Sequence, residues 1–331
     1  MKVLVTGGAG FIGSTVVSAC LDAGHEPVVL DDFSTGARAF VRDRTCYEGD
    51  VADAALLARI VDEHPDLGAV VHCAAHIVVP DSVADPLRYY DNNVLRTVSL
   101  LQHLTTLGVT RVLFSSSAAM YAPGPGFTVD ENSALDPGSP YASSKAMVER
   151  VLADACAAGL LTALSLRYFN PVGADPHLRT GLQVPRPSHA LGKLIEAYET
   201  GAPFVVTGVD WPTRDGSAIR DYIHVWDLAL AHVRALERFD EIVATPRYDV
   251  INLGSGTGTT VRELVAAFEE VTGARLPVRD GPARPGDVVG SYTRVDKARA
   301  VLGWQAERSV VDGIRDALAW ADIRAERLTV G

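Results

Sequence analysis

The feature that most constrains the fold is a glycine-rich loop placed directly after an apolar strand at the start of the chain. Lys2 to Thr6 indicates a strand, Gly7-Gly8-Ala9-Gly10-Phe11-Ile12-Gly13 follows it, and a helical pattern begins at about Phe11. A plain tight turn would need only some of these glycines. In this context the glycines let the backbone approach a pyrophosphate, which the amides and dipole of the helix N-terminus then bind. The predicted phosphate cradle consists of Gly7, Gly10, Phe11, Ile12 and Gly13.

The first half of the chain alternates apolar runs with helical stretches. The candidate strands are Lys2–Thr6, Glu26–Asp31, Ala69–Ala74 and Val112–Ser116. Continuous apolar runs are typical of parallel strands that are buried on both faces. We therefore predict an α/β fold with a Rossmann-type doubly wound parallel sheet, which binds ligands at the carboxyl ends of its strands.

Periodicity weakens between Asn170 and Tyr222, where prolines accumulate. This change predicts a smaller, interleaved α/β substrate lobe, because Tyr248 to Leu253 again indicates a buried strand of the first sheet. We assign residues 1–170 and about 223–258 to the dinucleotide-binding domain, and residues 171–222 and 259–331 to the substrate-binding domain.

Composition excludes several classes of protein. A net charge of -11 over 331 residues argues against nucleic acid as a partner. No apolar run approaches the roughly 20 residues that span a membrane, and Met1 leads into a strand without a secretory signal, so we expect a cytoplasmic protein. Four scattered cysteines and nine histidines show no ligand spacing, so we predict no metal site.

Acidic residues follow two of the early strands. Asp31 lies 18 residues after Gly13, where a carboxylate accepts hydrogen bonds from the adenosine ribose and repels a 2'-phosphate, which favours NAD over NADP. A solvated loop acid is the alternative. Asp50 and Val51 are candidates to contact the adenine, although an aspartate in a loop is nearly as typical of a turn.

Three residues predict a redox active site when taken together. Tyr141 and Lys145 are four apart on a predicted helix, and Ser117 lies 24 residues before Tyr141 at a strand end. We expect the Lys145 ammonium to lie beside the phenol and, with an oxidised nicotinamide, to lower its pKa from about 10. Tyr141 would then move a proton that Ser117 orients, whereas Ser117 alone is as often a strand-end hydroxyl bonded to backbone.

Longer runs carry a specific resemblance. They are Tyr90-Asp-Asn92-Asn-Val94, Ser115-Ser-Ser-Ala-Ala-Met-Tyr121, Arg167-Tyr-Phe-Asn-Pro-Val-Gly-Ala174 and Asp215-Gly-Ser-Ala-Ile-Arg-Asp-Tyr-Ile-His-Val225. With the glycine loop and Tyr-x-x-x-Lys, the chain resembles the extended short-chain dehydrogenase/reductase superfamily. Within it, the chain is similar to the UDP-galactose (UDP-glucose) 4-epimerases over almost its whole length.

The resemblance implies further site residues. For NAD they are Cys73, Ala74, Ala75, Asn92, Ser115, Tyr141, Lys145 and Tyr168. For a UDP-sugar substrate they are Ser117, Tyr141, Asn170, Arg220, Arg284 and Asp287. Arginine suits a diphosphate because its planar fork forms paired charge-assisted bonds, and an aspartate can accept bonds from ribose hydroxyls.

The resemblance also implies a reaction and an assembly. Tyr141 takes the proton of the sugar 4-hydroxyl while hydride passes from C4 to NAD+, and the 4-keto sugar then turns and receives the hydride on its other face. A homodimer is implied, and the helical stretches Arg88 to Leu107 and Ala142 to Ala158 are its candidate interface.

Two positions depart from the family pattern. Ile77 stands where a lysine near the nicotinamide is common, which removes a positive charge. Ser291 aligns with a position at which a bulky tyrosine restricts some members to unacetylated hexoses. We hypothesise that the small side chain leaves room for a 2-acetamido group, so that UDP-GlcNAc and UDP-GalNAc become additional substrates.

Three other functions compete with this interpretation. A 4-epimerase for another nucleotide sugar, such as a UDP-uronate or a secondary-metabolite sugar, is the main rival. A sugar 4,6-dehydratase is disfavoured because Ala118 and Ala119 stand where dehydratases carry an acid pair. A non-catalytic NAD-binding protein is disfavoured because the chain keeps Ser117, Tyr141 and Lys145.

Overall fold

The chain folds into alternating strands and helices, of which the computed structural model describes residues 1–122, 124–184, 187–283 and 287–329. The strands are β1 Lys2–Thr6, β2 Glu26–Asp31, β3 Cys46–Glu48, β4 Leu67–His72, β5 Arg111–Ser117, β6 Thr128–Val129, β7 Thr162–Tyr168, β8 Asn170–Val172, β9 Phe204–Thr207, β10 Ile219–His224, β11 Tyr248–Leu253, β12 Gly258–Thr260, β13 Val278–Gly281 and β14 Tyr292–Thr293. The helices are α1 Phe11–Asp22, α2 Ala54–Glu63, α3 Val79–Ala84, α4 Pro86–Tyr90, α5 Arg96–Thr106, α6 Pro140–Ala157, α7 Ala190–Thr200, α8 Val225–Glu237, α9 Phe239–Ile242, α10 Val261–Thr272, α11 Asp296–Leu302 and α12 Val310–Thr329.

Seven parallel strands form the central sheet, in the order β11-β7-β5-β4-β1-β2-β3. The predicted doubly wound sheet is confirmed, including the return of Tyr248–Leu253 to it as β11. The chain order reverses between β1 and β4, so a crevice opens there at the carboxyl ends of the strands. The glycine loop leaves β1 at this crevice.

Successive residues along each strand are buried on opposite faces of the sheet, and each face is covered by a layer of helices. Val3 and Val5 of β1 pack with residues of α1 and α8 in one cluster, whereas Leu4 packs with residues of α5 and α6 in the other. All three side chains are fully buried. Each contributes about 1.5–3 kcal/mol of hydrophobic free energy, so the sheet and its strand ends form a fixed platform.

The helix predicted from Arg88 to Leu107 is not regular. The structure instead has α4 and α5 joined by a π-helical turn over Asp91–Leu95. One extra residue in that turn rotates the helix face, a device that is frequent at functional sites. None of the helices in the described ranges has the length and apolar character needed to cross a bilayer.

The second lobe is built from short sheets. β10 pairs in parallel with β8 and antiparallel with β12, while β9 pairs with β13 and β6 with β14. β8 and β10 each extend across a predicted domain boundary, near residues 171 and 222. The division into two domains remains a prediction.

Candidate active site

The glycine loop is shaped by close backbone contacts. Gly7 has φ +69°, and a Cβ there would lie 2.7 Å from the Ala74 amide nitrogen after β4. A Cβ on Gly13 would lie 2.1 Å from the Gly7 carbonyl oxygen. Phe11 begins α1, whose first amides have no partner within the helix. The loop therefore presents bare backbone and a helix N-terminus to the crevice, an arrangement that fits a pyrophosphate.

Asp31 fastens this loop to the end of β2. Its carboxylate accepts hydrogen bonds from the Ala9 amide at 2.9 Å and the Phe33 amide at 2.8 Å. Burial raises the pKa of Asp31, and the two amide bonds oppose that rise. The predicted ribose acceptor thus also organises the phosphate cradle.

Asp50 forms a loop turn, which was the alternative to a contact with the adenine. Its Oδ1 accepts from the Ala52 amide at 2.9 Å, and its Oδ2 pairs with Arg96 of α5. Val51 packs against the hydrophobic cluster that contains Leu4 of β1. Contact of either residue with an adenine remains a prediction.

The carboxyl ends of β4 and β5 are joined by a polar cluster around Ser115. The Cys73 sulfur lies 3.0 Å from the Ser115 hydroxyl, which lies 3.2 Å from His232 Nε2. His232 Nδ1 lies 2.8 Å from the Leu228 carbonyl and donates to it, so Nε2 accepts from Ser115. Burial lowers the pKa of His232 to about 4 and raises that of Cys73 to about 11. Both side chains are therefore neutral near pH 7.

Lys145 is directed to β5. Its Nζ donates to the Ser115 carbonyl at 2.8 Å and lies 4.7 Å from the centre of the Phe114 ring. Burial lowers the pKa of Lys145 to about 8, and the interactions with Cys73 and Glu149 oppose this lowering. The amine is therefore held between the strand end and helix α6.

Tyr141 and Ser117 meet as predicted from their positions, but the expected pKa shift of the phenol is wrong for the chain alone. Burial raises the pKa of Tyr141, and a hydrogen bond with Ser117 opposes the rise. Lys145 does not lower the phenol pKa because its amine is directed to Ser115. Ser117 Oγ also accepts from the Ala119 amide at 3.2 Å, which fits the strand-end interpretation, and its role in orienting a substrate remains a prediction.

The π-helical turn directs Asn93 inward next to Asn92. The Asn93 amide group bonds the backbone N–H and C=O of His76 at 2.8 and 2.9 Å and the Ser144 hydroxyl of α6 at 3.1 Å. Asn92 donates to the Asn93 oxygen at 3.0 Å. Sequence analysis missed Asn93, although its place beside Asn92 in the Tyr90–Val94 run was a signal. Ile77, which follows His76, is 61% exposed.

Tyr168 lies at the end of β7 on the other side of Ser115. Burial raises its pKa well above the ordinary value, while a hydrogen bond with Ser115 opposes the rise. Its ring centre is 6.2 Å from that of His232. Tyr168 therefore extends the same wall of the crevice.

Arg220 contacts the segment that carries Asp287 and Ser291, two other residues predicted to bind substrate. Its guanidinium donates to the carbonyls of Val288 at 3.2 Å and Val289 at 2.9 Å, between Asp287 and Ser291. Gly290 permits this approach with φ +98°, because a Cβ there would lie 2.0 Å from Arg220 Nη1. We call residues 287–293 the substrate wall. Asn170 lies in β8, paired with Tyr222 of β10 beside Arg220, and Arg284 lies outside the described residues.

No metal-binding group accompanies these residues. Within the described ranges, no three His, Cys, Asp or Glu side chains are arranged to hold a metal ion.

Comparisons of the sequence and of the structure with known proteins both find epimerases. The model of the NAD dependent epimerase/dehydratase family matches residues 3–254. A UDP-glucose 4-epimerase of Azospirillum brasilense is 42% identical over 322 residues, covering 96% of this chain and 91% of the relative. A solved UDP-glucose-4-epimerase from Stenotrophomonas maltophila with bound NAD and formylated UDP-arabinopyranose has a TM-score of 0.92 and 36% identity, covering 98% of this chain and 99% of that one. The UDP-Glc/GlcNAc 4-epimerase of Campylobacter jejuni has a TM-score of 0.81 and 33% identity, covering 97% and 99%.

Proposed function

Because the chain belongs to the NAD dependent epimerase/dehydratase family, we propose that it catalyses the NAD-dependent 4-epimerisation of a UDP-hexose, in the first place UDP-glucose and UDP-galactose. The observation that carries the proposal is the convergence of Ser117 and Tyr141, two buried and mutually bonded hydroxyls, at the crevice that the glycine loop borders. A proton acceptor beside a dinucleotide cradle is what reversible oxidation of a carbinol needs.

The cradle fits NAD. Gly7 and Gly13 allow the close backbone contacts that shape the loop, and Gly10 precedes the first residue of α1. Phe11 and Ile12 supply helix-terminal amides, and Asp31 would accept from the adenosine ribose. NAD supplies the hydride acceptor and, when oxidised, a positive charge near the phenol. The remaining contacts that we propose for it are Asp50, Val51, Cys73, Ala74, Ala75, Asn92, Ser115, Tyr141, Lys145 and Tyr168.

The residues of the chain would act on one proton. Ser117 Oγ would hold the sugar 4-hydroxyl against Tyr141 Oη, which would take its proton as C4 is oxidised and return it when C4 is reduced from the other face. Lys145 would contact NAD from the Ser115 strand end, where its amine is held, while burial of Tyr141 and Lys145 keeps water away. The net reaction consumes no oxidant, because the same hydride leaves and returns.

The substrate wall would hold the nucleotide more firmly than the hexose. We propose that Arg220 and Arg284 bind the diphosphate and that Asn170 and Asp287 complete the UDP site. A fixed UDP with a loosely held sugar allows the 4-keto intermediate to turn. Ser291 would leave room for a 2-acetamido group, and the Campylobacter jejuni relative is a UDP-Glc/GlcNAc 4-epimerase.

A second candidate is 4-epimerisation of another nucleotide sugar. The formylated UDP-arabinopyranose bound to the Stenotrophomonas maltophila relative favours keeping it, because that ligand is not a hexose. The same catalytic residues would serve both reactions, so only the sugar end of the site would differ.

We further propose a cytoplasmic homodimer. The face formed by α4, the π-helical turn and α6 carries Leu87, Leu95 and Met147, which are 78%, 61% and 46% exposed. Burying this apolar face against its symmetry mate would form a four-helix interface. Four free cysteines are consistent with a reducing compartment.

The test is turnover of a panel of nucleotide sugars by the purified protein. We expect interconversion of UDP-glucose and UDP-galactose, with tightly bound NAD visible in the absorbance spectrum. Turnover of a UDP-pentose or UDP-uronate alone would favour the second candidate. Bound NAD without turnover of any nucleotide sugar would overturn both.

A further inference from the structure

A buried ion pair lies one helical turn behind the proposed catalytic pair. Glu149 follows Tyr141 and Lys145 at spacings of four along α6, so the three side chains share one face of the helix. Glu149 and Arg167 of β7 are each only 5% exposed. Buried charges are costly unless they are paired and fully hydrogen-bonded, so their presence here requires a reason.

The carboxylate of Glu149 joins three elements. Arg167 donates to it from Nε, at 2.9 Å to Oε1 and 3.2 Å to Oε2, and from Nη2 at 2.5 Å. The Ser116 hydroxyl of β5 donates to the same carboxylate at 2.5 Å. Ser116 stands between Ser115, whose carbonyl receives the Lys145 ammonium, and Ser117. One carboxylate therefore fixes α6 against the strand end that carries Ser117.

The bonds continue from Arg167 to the substrate wall. Arg167 Nη1 donates to the Tyr121 hydroxyl at 2.8 Å, and that hydroxyl donates to Asn252 Oδ1 at 2.7 Å. Asn252 Nδ2 then donates to Thr293 Oγ1 at 3.1 Å. Thr293 is two residues from Ser291, in the substrate wall.

The direction of each bond is determined by its neighbour. Arg167 can only donate, so the Tyr121 oxygen accepts and its single proton must go to Asn252. The Asn252 amide is thereby oriented with its nitrogen toward Thr293. Such a chain has one consistent arrangement, which specifies the relative position of the elements it connects.

We propose that Glu149 and Arg167 are positioning residues of the active site, which hold Ser117, Tyr141 and Lys145 in register and which Tyr121 connects to the substrate wall. The inference rests on the proposed function, because it assigns a role relative to Ser117, Tyr141 and Lys145. Its physical basis is that a displacement of about 1 Å at reacting groups can cost 10²-fold in rate.

The test uses substitutions that remove single hydroxyls and leave the buried charges paired. We expect Ser116→Ala in the NAD-loaded protein to lower kcat for UDP-galactose by about 10-fold to 100-fold with KM unchanged. We expect Tyr121→Phe to lower kcat and also raise KM, because it disconnects the substrate wall. Glu149→Gln should have the largest effect, although it can fail to fold because it leaves Arg167 uncompensated.

The same helix offers a matched control. Asp154 pairs with Arg150 on the solvent side of α6, where the two side chains are 63% and 78% exposed, so Asp154→Asn should leave kcat unchanged. Each variant is assayed for bound NAD, for its unfolding temperature and for the single-turnover rate at which substrate reduces the bound NAD.

The outcomes separate the two claims. If Tyr141→Phe is inactive but Ser116→Ala and Tyr121→Phe match the wild type within about twofold, the positioning role is wrong and the proposed function stands. If the two hydroxyl variants lose only NAD or thermal stability while the rate per NAD-loaded site is unchanged, the network is merely structural and the inference is overturned. If Tyr141→Phe stays active, the proposed catalytic assignment itself fails.

Discussion

The two halves of the crevice are built by different means. The cofactor half is made from consecutive backbone, namely β1, the glycine loop and α1, and Asp31 closes it from the next strand. The substrate wall is far from its supports in sequence, since Arg220 reaches Val289 across 69 residues and Thr293 reaches Val129 across 164. The difference teaches that one half is a local motif and the other is an assembly of distant elements.

Asp221 illustrates how the second half is assembled. It is fully buried, and it accepts from the Ser255 amide and hydroxyl, both at 2.7 Å, and from the Gly256 and Thr293 amides, both at 3.2 Å. It therefore ties β14 and the loop after β11 to β10, next to Arg220. Burial raises the pKa of Asp221, and these hydrogen bonds oppose the rise.

The comparison predicts that the largest effect comes from the local motif. Gly13→Ala would place a methyl group 2.1 Å from the Gly7 carbonyl, which forces the loop backbone to move. We expect a loss of about 4 kcal/mol of NAD binding, or about 10³-fold in affinity, measured by isothermal titration of the apoprotein. Gly138→Ala is the control, because a Cβ there has no neighbour within 4 Å. Full retention of NAD by Gly13→Ala would show that the loop is not the cradle.

The buried amine at the junction of the two halves predicts a pH effect on stability. Burial lowers the pKa of Lys145 from 10.5 to about 8, so between these values the unfolded chain binds more protons and stability rises with pH. The difference in free energy of unfolding between wild type and Lys145→Met should therefore move by about 3 kcal/mol in favour of the wild type from below pH 8 to above pH 10.5. Urea titrations at several pH values measure it. Parallel curves for the two proteins would mean that folding does not lower the pKa of the amine.

Substituting a glycine in the substrate wall should weaken substrate binding and leave NAD binding unchanged. Gly290→Ala would place a methyl group 1.9 Å from the Ile219 carbonyl oxygen and 2.0 Å from Arg220 Nη1, in a backbone conformation that alanine rarely adopts. We expect KM for UDP-galactose to rise by about tenfold while bound NAD is unchanged. Gly273→Ala, with φ +66° and open space around its Cβ, reports the conformational cost alone. Loss of NAD in Gly290→Ala would show that the substrate wall also supports the cofactor half, which contradicts the predicted difference between the two halves.

The narrowest effect, confined to one class of sugar, is expected at the sugar end of the wall. Ser291→Tyr should lower turnover of UDP-GalNAc by about tenfold and leave UDP-galactose within about twofold, because the larger side chain fills the space for an acetamido group. Ser291→Ala should leave both substrates unchanged. Equal rates of the Tyr variant with both sugars would place the acetamido group elsewhere, and failure of the wild type to turn over UDP-GlcNAc would remove the hypothesis.

Sequence reasoning succeeded where the structure is local. The strand, glycine loop and helix order predicted the sheet and its crevice, and helical spacing placed Tyr141 and Lys145 together on α6. It failed for the direction of the Lys145 amine, because the Ser115 carbonyl that receives it comes from a strand 30 residues away. Periodicity contains no information on such a partner.

The buried polar residues were out of reach for the same reason. His232 meets Ser115 across 117 residues and Asn252 meets Tyr121 across 131, contacts that depend on how β5, α8 and β11 pack. Arg167 and Tyr121 lay within motifs that were recognised by resemblance, but their mutual bond follows only from the sheet order. The one available signal in the sequence was Glu149, since it repeats along the predicted helix the four-residue spacing of Tyr141 and Lys145.

The central claim is that the Tyr141 phenol moves the proton of the sugar 4-hydroxyl beside bound NAD. The most direct measurement is the rate of UDP-galactose and UDP-glucose interconversion by NAD-loaded wild type and Tyr141→Phe. We predict that the variant binds NAD as the wild type does and loses about 10²-fold to 10⁴-fold in kcat. A Tyr141→Phe variant that keeps its NAD and more than about a tenth of the wild-type rate would contradict the account.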